Sequence, residues 1–135
     1  MNIAGIAEFI LGNTYPFVVF VVYGCHWVNL GYTSDPAHPL SAGYGADGAL
    51  SQAFNCGQGN YYVVMTLVSC VFLVGSIRIN LPFVLIFFAI VFVFSFIAAA
   101  NYEIGYNPTT AGLERAAYLL KIAGGFGMVI VLTGL

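Results

Sequence analysis

Apolar residues fall along this chain in long uninterrupted runs, separated by short clusters of Gly, Pro, Asn, Ser and the few charged side chains. A helix needs about 20 mostly apolar residues to cross roughly 30 Å of hydrocarbon. Runs at 12–32, 61–77, 82–100 and 116–135 meet that length, the second of them only with Asn60 and Arg78 placed at the two interfaces. The stretch 3–11 is apolar apart from Glu8, but as a helix it reaches only about 13 Å. It reads as the end of a truncated helix, 1–11, and the run 116–135 likewise stops without a polar flank. The pattern therefore predicts an all-α, polytopic helical membrane protein: one transmembrane domain over 1–135, with four full transmembrane helices and a partial N-terminal helix.

The connections set the topology. The segment GYTSDPAHPLSAGYGADGALSQAFNCGQ between the first two runs is Gly-, Ser- and Ala-rich and has neither Lys nor Arg. Residues 78–81 form a tight turn that makes the runs on either side antiparallel neighbours, and Arg78 places this turn in the cytoplasm by the positive-inside rule. By parity the long loop and the segment 101–115 face outside and both termini are cytoplasmic, with Arg115 arguing weakly the other way. Pro82 and Pro16 mark helix starts, where a missing N–H costs nothing.

Composition narrows the class further. Only 6% of the 135 residues are charged and 61% are hydrophobic, with a mean hydropathy of +0.95. Soluble domains carry about a quarter charged residues, so water is not the main solvent of this chain. Three basic residues, Arg78, Arg115 and Lys121, give no cluster for a phosphate backbone, which excludes nucleic acid as a partner. Cys25 and Cys70 lie in apolar runs and Cys56 in a polar loop, so no disulfide framework is expected. No hydrolase elbow, phosphate loop or metal-ligand spacing occurs, and neither enzymatic activity nor a metal or cofactor is expected.

What remains is a polar minority inside apolar helices, and in lipid such residues tend to mark pathways. Tyr23 and His26, three residues apart, share a face near the middle of the first full span. Tyr23 either lines a passage at mid-membrane or packs with its hydroxyl on a neighbouring carbonyl. His26 is either a proton carrier or a hydrogen-bonded core histidine, the latter being the simpler reading. Asn13 and Thr14 stand where a helix cap belongs, with substrate contact as the alternative. Gly24, Gly124, Gly125 and Gly127 offer small faces for helix packing. The run 82–100 has Ser95 as its only polar side chain and would give any pore an apolar, constricting wall. Lys121 is expected to snorkel to an interface, and Trp27 to pack.

The run EFILGNTYPFVVFVVYGCHWVNLGY, with Asn13-Thr14-Tyr15 followed by Tyr23-Gly24-Cys25-His26-Trp27, resembles the third-helix signature of the acetate uptake transporter family of bacteria and fungi. GSIRINLPFVLIFF and LLKIAGGFGM resemble that family's turn between its fourth and fifth helices and the start of its sixth. The resemblance covers the whole chain. It implies six helices per subunit, a plasma-membrane homo-oligomer (a hexamer) with a path through each protomer, and uptake of acetate or similar short monocarboxylates with a proton. Anion-channel and ammonium-export activity within the same family, or a truncated subunit that does not itself transport, are the alternatives. The family's path is narrowed by a first-helix phenylalanine, a third-helix tyrosine and a fifth-helix leucine. Tyr23 matches the tyrosine, Ile90 stands at the leucine, and Val93 follows one turn later. The family's first-helix Asn-Pro-Ala-Pro-Leu-Gly-Leu motif is absent, His26 replaces an aromatic apolar residue, and Gly12 stands where some fungal members have Glu.

Overall fold

The computed structural model describes residues 1–134, and among them there are five α-helices and no strands. The C-terminal residue of the expected last span, Leu135, lies outside the described residues. The chain divides into two compact units, Met1–Leu40 and Ser41–Leu135.

The first unit is a helical hairpin of α1 (Asn2–Ile10) and α2 (Thr14–Thr33). Gly12, at φ +81°, supplies the left-handed residue that reverses the chain. Gly5 lets α1 come close, since a Cβ there would stand 3.0 Å from Val21 Cγ2 and 3.3 Å from Phe20 Cβ. The Phe9 and Phe17 rings lie 4.9 Å apart, and the Asn2 side chain occupies the space that a Cβ on Gly24 would take. These pairings, Phe9 with Phe17, Gly5 with Phe20 and Val21, and Asn2 with Gly24, describe one antiparallel register. Asn13 holds the N-cap position of α2, but its side chain caps nothing. Its Nδ2 instead donates to Glu8 Oε2 at 2.7 Å, bracing the turn and giving the one carboxylate of α1 a partner. Gly24→Leu is expected to push α1 off α2 and lower stability in detergent by about 1–3 kcal/mol. Asn2→Ala, which clears the colliding amide, should restore part of the loss in the same thermal unfolding assay.

In the second unit two short 3-10 turns, Leu40–Tyr44 and Gly48–Leu50, lead into α3 (Gln52–Ser76), α4 (Leu81–Tyr106) and α5 (Thr110–Gly134). Each helix runs beyond its apolar stretch. Hydropathy reports how much of a helix sits in lipid, whereas capping decides where it starts and stops. Buried Asn55 donates to the carbonyls of Ala49 and Ser51 at 2.7 and 2.9 Å, so α3 begins well before Tyr61. Asn80 accepts from Phe83 N at 3.0 Å and starts α4, with Pro82 in its first turn. Thr109 Oγ1 accepts from Gly112 N at 3.2 Å and starts α5 ahead of Ala116.

The buried residues of α3, Asn55, Gly59, Tyr62, Met65, Ser69, Phe72 and Ser76, recur every three or four positions and form one seam. Against it α4 sets Phe94 on Tyr62 and Phe87 on Phe72, each pair 5.9 Å between centroids. Tyr102 lies over Gly59 and donates to Asn60 Oδ1 at 2.6 Å. Ser69 and Ser76, fully buried, return their hydroxyls to Met65 O and Leu73 O at 2.7 Å, as lipid requires of polar groups that water cannot reach. On its other flank α4 meets α5, whose buried residues are all small, Gly112, Ala116 and Ala123, with Phe126 stacked on Phe92 and Phe96.

Among the described residues three helices, α3, α4 and α5, are long and apolar enough to cross a membrane. The chain is thus an all-α membrane protein. At the remaining expected span α2 is an unbroken 20-residue helix, and its Tyr, Gly, His and Asn residues dilute the apolar ones enough to keep it outside that group.

Candidate permeation pathway

Sequence-expected pathway residues fall on both units, and each set has its own geometry. On α2, Tyr23 and His26 are both 5% exposed, and Gly24 between them is buried against α1. α1 covers the face that carries Phe17, Phe20 and Gly24, whereas Val19, Tyr23 and His26, buried at spacings of four and three residues, share a different face of α2. Trp27 behaves differently from a packed residue: it is 57% exposed, touching His26 edge-on with centroids 5.5 Å apart. Asn13 and Thr14 are exposed, and Asn13 is engaged with Glu8.

On α4 the two flanks taken by α3 and α5 leave two free sides, and these differ. Ile86, Ile90, Val93, Ile97, Asn101 and Ile104 follow one another at helical spacing and are all half-buried. Phe88, Ser95, Ala99 and Tyr106, on the opposite side, are all exposed. Gly134 of α5 approaches the first strip, its Cβ position lying 3.9 Å from Ile86 Cδ1. So α4 has a sheltered side, apolar from Ile86 to Ile97, and an open side. Ile90 and Val93 belong to the sheltered one.

Asn101 is the polar residue that a reading confined to 82–100 misses, because it lies just beyond the apolar run on a helix that continues to Tyr106. Its Nδ2 donates to Ile97 O at 2.8 Å, which uses one of its two amide hydrogens and leaves Oδ1 for another partner. At 1.5 Å per residue it stands about 16 Å along the axis from Ile90, near the edge of the hydrocarbon if Ile90 is central. The glycines expected to pack helices divide. Gly24 does meet a neighbour, while Gly124, Gly125 and Gly127 have nothing within 4 Å of a Cβ position. Close approach within the second unit is made instead at Gly59, beneath Tyr102, and at Gly105, against Asn55 and Cys56.

Comparison with known proteins decides the family: the model of the GPR1/FUN34/yaaH family matches residues 1–135. This chain belongs to the GPR1/FUN34/yaaH family. The family is one of membrane transporters and includes acetate transporters. Among its curated relatives, protein alcS from two strains of Aspergillus fumigatus is 28% identical over 142 residues, covering 98% of this chain and 52% of the relative. The chain therefore spans about half the length of the curated relatives it matches. No solved structure matches it. The GPR1/FUN34/yaaH membership and the apolar α3, α4 and α5 together make this a membrane protein of a transporter family.

Proposed function

We propose that the chain takes part in moving acetate and similar short monocarboxylates across the plasma membrane together with a proton. The family match over the whole chain carries this reading. The sheltered apolar strip of α4 and the buried Tyr23 support it, as the wall and the polar contact that a small carboxylic acid would meet. A carboxylate in hydrocarbon is costly, and a proton taken with it lets the pair cross as neutral acid. In this mechanism Tyr23 donates a hydrogen bond to the carboxylate, Ile90 and Val93 narrow the route, and His26 is the candidate proton relay. By the positive-inside rule Arg78 supports a cytoplasmic α3–α4 turn, and a homo-oligomer is the expected assembly.

Vesicles loaded with the purified chain are expected to accumulate labelled acetate above protein-free vesicles, more strongly when the outside is acidic. Uptake indifferent to the pH gradient would point to an anion channel, and ammonium flux without acetate flux to ammonium export. No flux of either kind would overturn the reading for this chain. A second reading is a membrane subunit that packs against full-length relatives without transporting. Recovery of the chain alone and monodisperse from cells that also make a full-length relative would count against it.

Asn101 gives a finer expectation. At the end of the apolar strip it offers an amide to an acid that is losing its water. Asn101→Leu should raise the KM for acetate about fivefold, the scale of one hydrogen bond, while Asn101→Gln keeps most of the affinity. Ser95→Ala, on the exposed side, should leave KM unchanged.

A further inference from the structure

The exposed side of the α4–α5 pair carries a feature that no transport step uses. A cavity of about 490 Å³ opens there, lined by Glu103 of α4 and by Ala111, Glu114, Arg115, Tyr118 and Leu119 of α5. Glu103 is half-buried, with its side chain 28% exposed, and it accepts from Asn107 Nδ2 at 3.2 Å and faces an Arg115 guanidinium nitrogen at 3.5 Å. The Arg115 side chain is 71% exposed, so most of its donors turn outward. Glu114 is exposed and has no ion-pair partner among the described residues.

The cavity also has an apolar continuation. Phe96 is two turns from Glu103 on the same strip of α4, and Phe126 is two turns from Leu119 on the same strip of α5. Phe126 stacks on Phe92 and Phe96 at 5.0 and 6.0 Å with nearly parallel rings, and Phe88, 51% exposed, continues the ladder 5.0 Å from Phe92. The polar end lies beside the α4–α5 turn, where the apolar runs of both helices give out, which is headgroup depth. The ladder runs from there toward the middle of the membrane.

We infer that this groove binds a zwitterionic phospholipid, phosphatidylethanolamine, with its phosphate on Arg115, its ammonium on Glu114 and an acyl chain along the Phe96–Phe92–Phe88 ladder. Charge selects the headgroup. Glu103 faces one nitrogen of Arg115, so Glu114, unpaired among the described residues, offers a place for a cation and the outward donors of Arg115 a place for an anion, and a ligand that meets both must carry both charges. An anionic lipid satisfies Arg115 but leaves Glu114 facing another negative charge. Phosphatidylethanolamine satisfies both, and its primary ammonium can donate hydrogen bonds to a carboxylate, which a choline headgroup cannot.

Native mass spectrometry of the full chain, titrated in parallel with phosphatidylethanolamine and phosphatidylglycerol of the same acyl chains, tests this. Adducts of the first are expected at roughly tenfold lower lipid concentration, the scale of one charge-assisted contact. The double variant Glu114→Gln, Arg115→Gln should lose that preference, and Lys121→Gln, outside the cavity, should keep it. Equal retention of the two lipids by the unaltered chain overturns the inference, and that comparison stands even if the double variant fails to fold. A preference that survives in a folded double variant overturns it too. So does a disulfide-linked dimer through Tyr118→Cys, in a chain whose native cysteines are serine, because a second copy would then cover this face.

Discussion

Tyr23→Phe is expected to cut kcat/KM for acetate about tenfold or more while leaving the helical content of the chain unchanged. A hydrogen bond to a charged group contributes about 1.5–3 kcal/mol, against about 1 kcal/mol for a neutral one, so a tyrosine that serves the substrate loses more on truncation than one that only packs. The ring keeps its volume, and the buried face of α2 that carries Val19, Tyr23 and His26 keeps its shape. Stability should therefore fall by no more than about 1 kcal/mol, the share of an internal partner of the hydroxyl. Uptake and thermal unfolding measured on the same preparation separate the two roles. A loss of uptake no larger than the loss of stability would assign Tyr23 to packing.

Phe87→Ala is expected to give the largest stability loss of any single truncation on the α3–α4 seam. Phe87 is 1% exposed and contacts the rings of both Phe72 and Phe83. In a soluble core such a change costs about 3–5 kcal/mol, part from the transfer of the ring out of water and part from the cavity left behind. Lipid tails are as apolar as the core, so most of the transfer part vanishes here and the lost packing remains, about 2 kcal/mol. Phe88→Ala is the control, because at 51% exposure lipid fills the gap. Denaturation in mixed micelles should show a clear shift for the first variant and almost none for the second.

Apolar runs showed the helices of this chain because lipid imposes their length, and α3, α4 and α5 fall where those runs are. Their ends were not legible in hydropathy. Asn55, Asn80 and Thr109 extend or start helices through short-range side-chain hydrogen bonds that hydropathy does not register. For that reason hydropathy leaves Asn101 outside the run 82–100, although it is the polar end of a sheltered helical strip. Asn13 shows the same limit at close range: it stands at the cap position its residue type favours, yet its amide turns back to Glu8. Gly124, Gly125 and Gly127 look like a packing face because they sit together in an apolar run, but the close approaches are made by Gly59 and Gly105, whose partners lie on another helix. Tyr23 and Ile90 came from a family resemblance joined to mid-span position, and burial of the one and the sheltered setting of the other concern each residue separately.

Thiol accessibility tests the pathway most directly. With Cys25, Cys56 and Cys70 replaced by serine, Ile90→Cys and Phe88→Cys variants in lipid vesicles are exposed to a small water-soluble thiol reagent, with and without acetate. The sheltered strip predicts that Cys at 90 reacts and that acetate slows it, while Cys at 88 stays unmodified in hydrocarbon. Rapid modification at 88 with none at 90, or a rate at 90 that acetate does not change, would contradict a permeation wall on that side of α4.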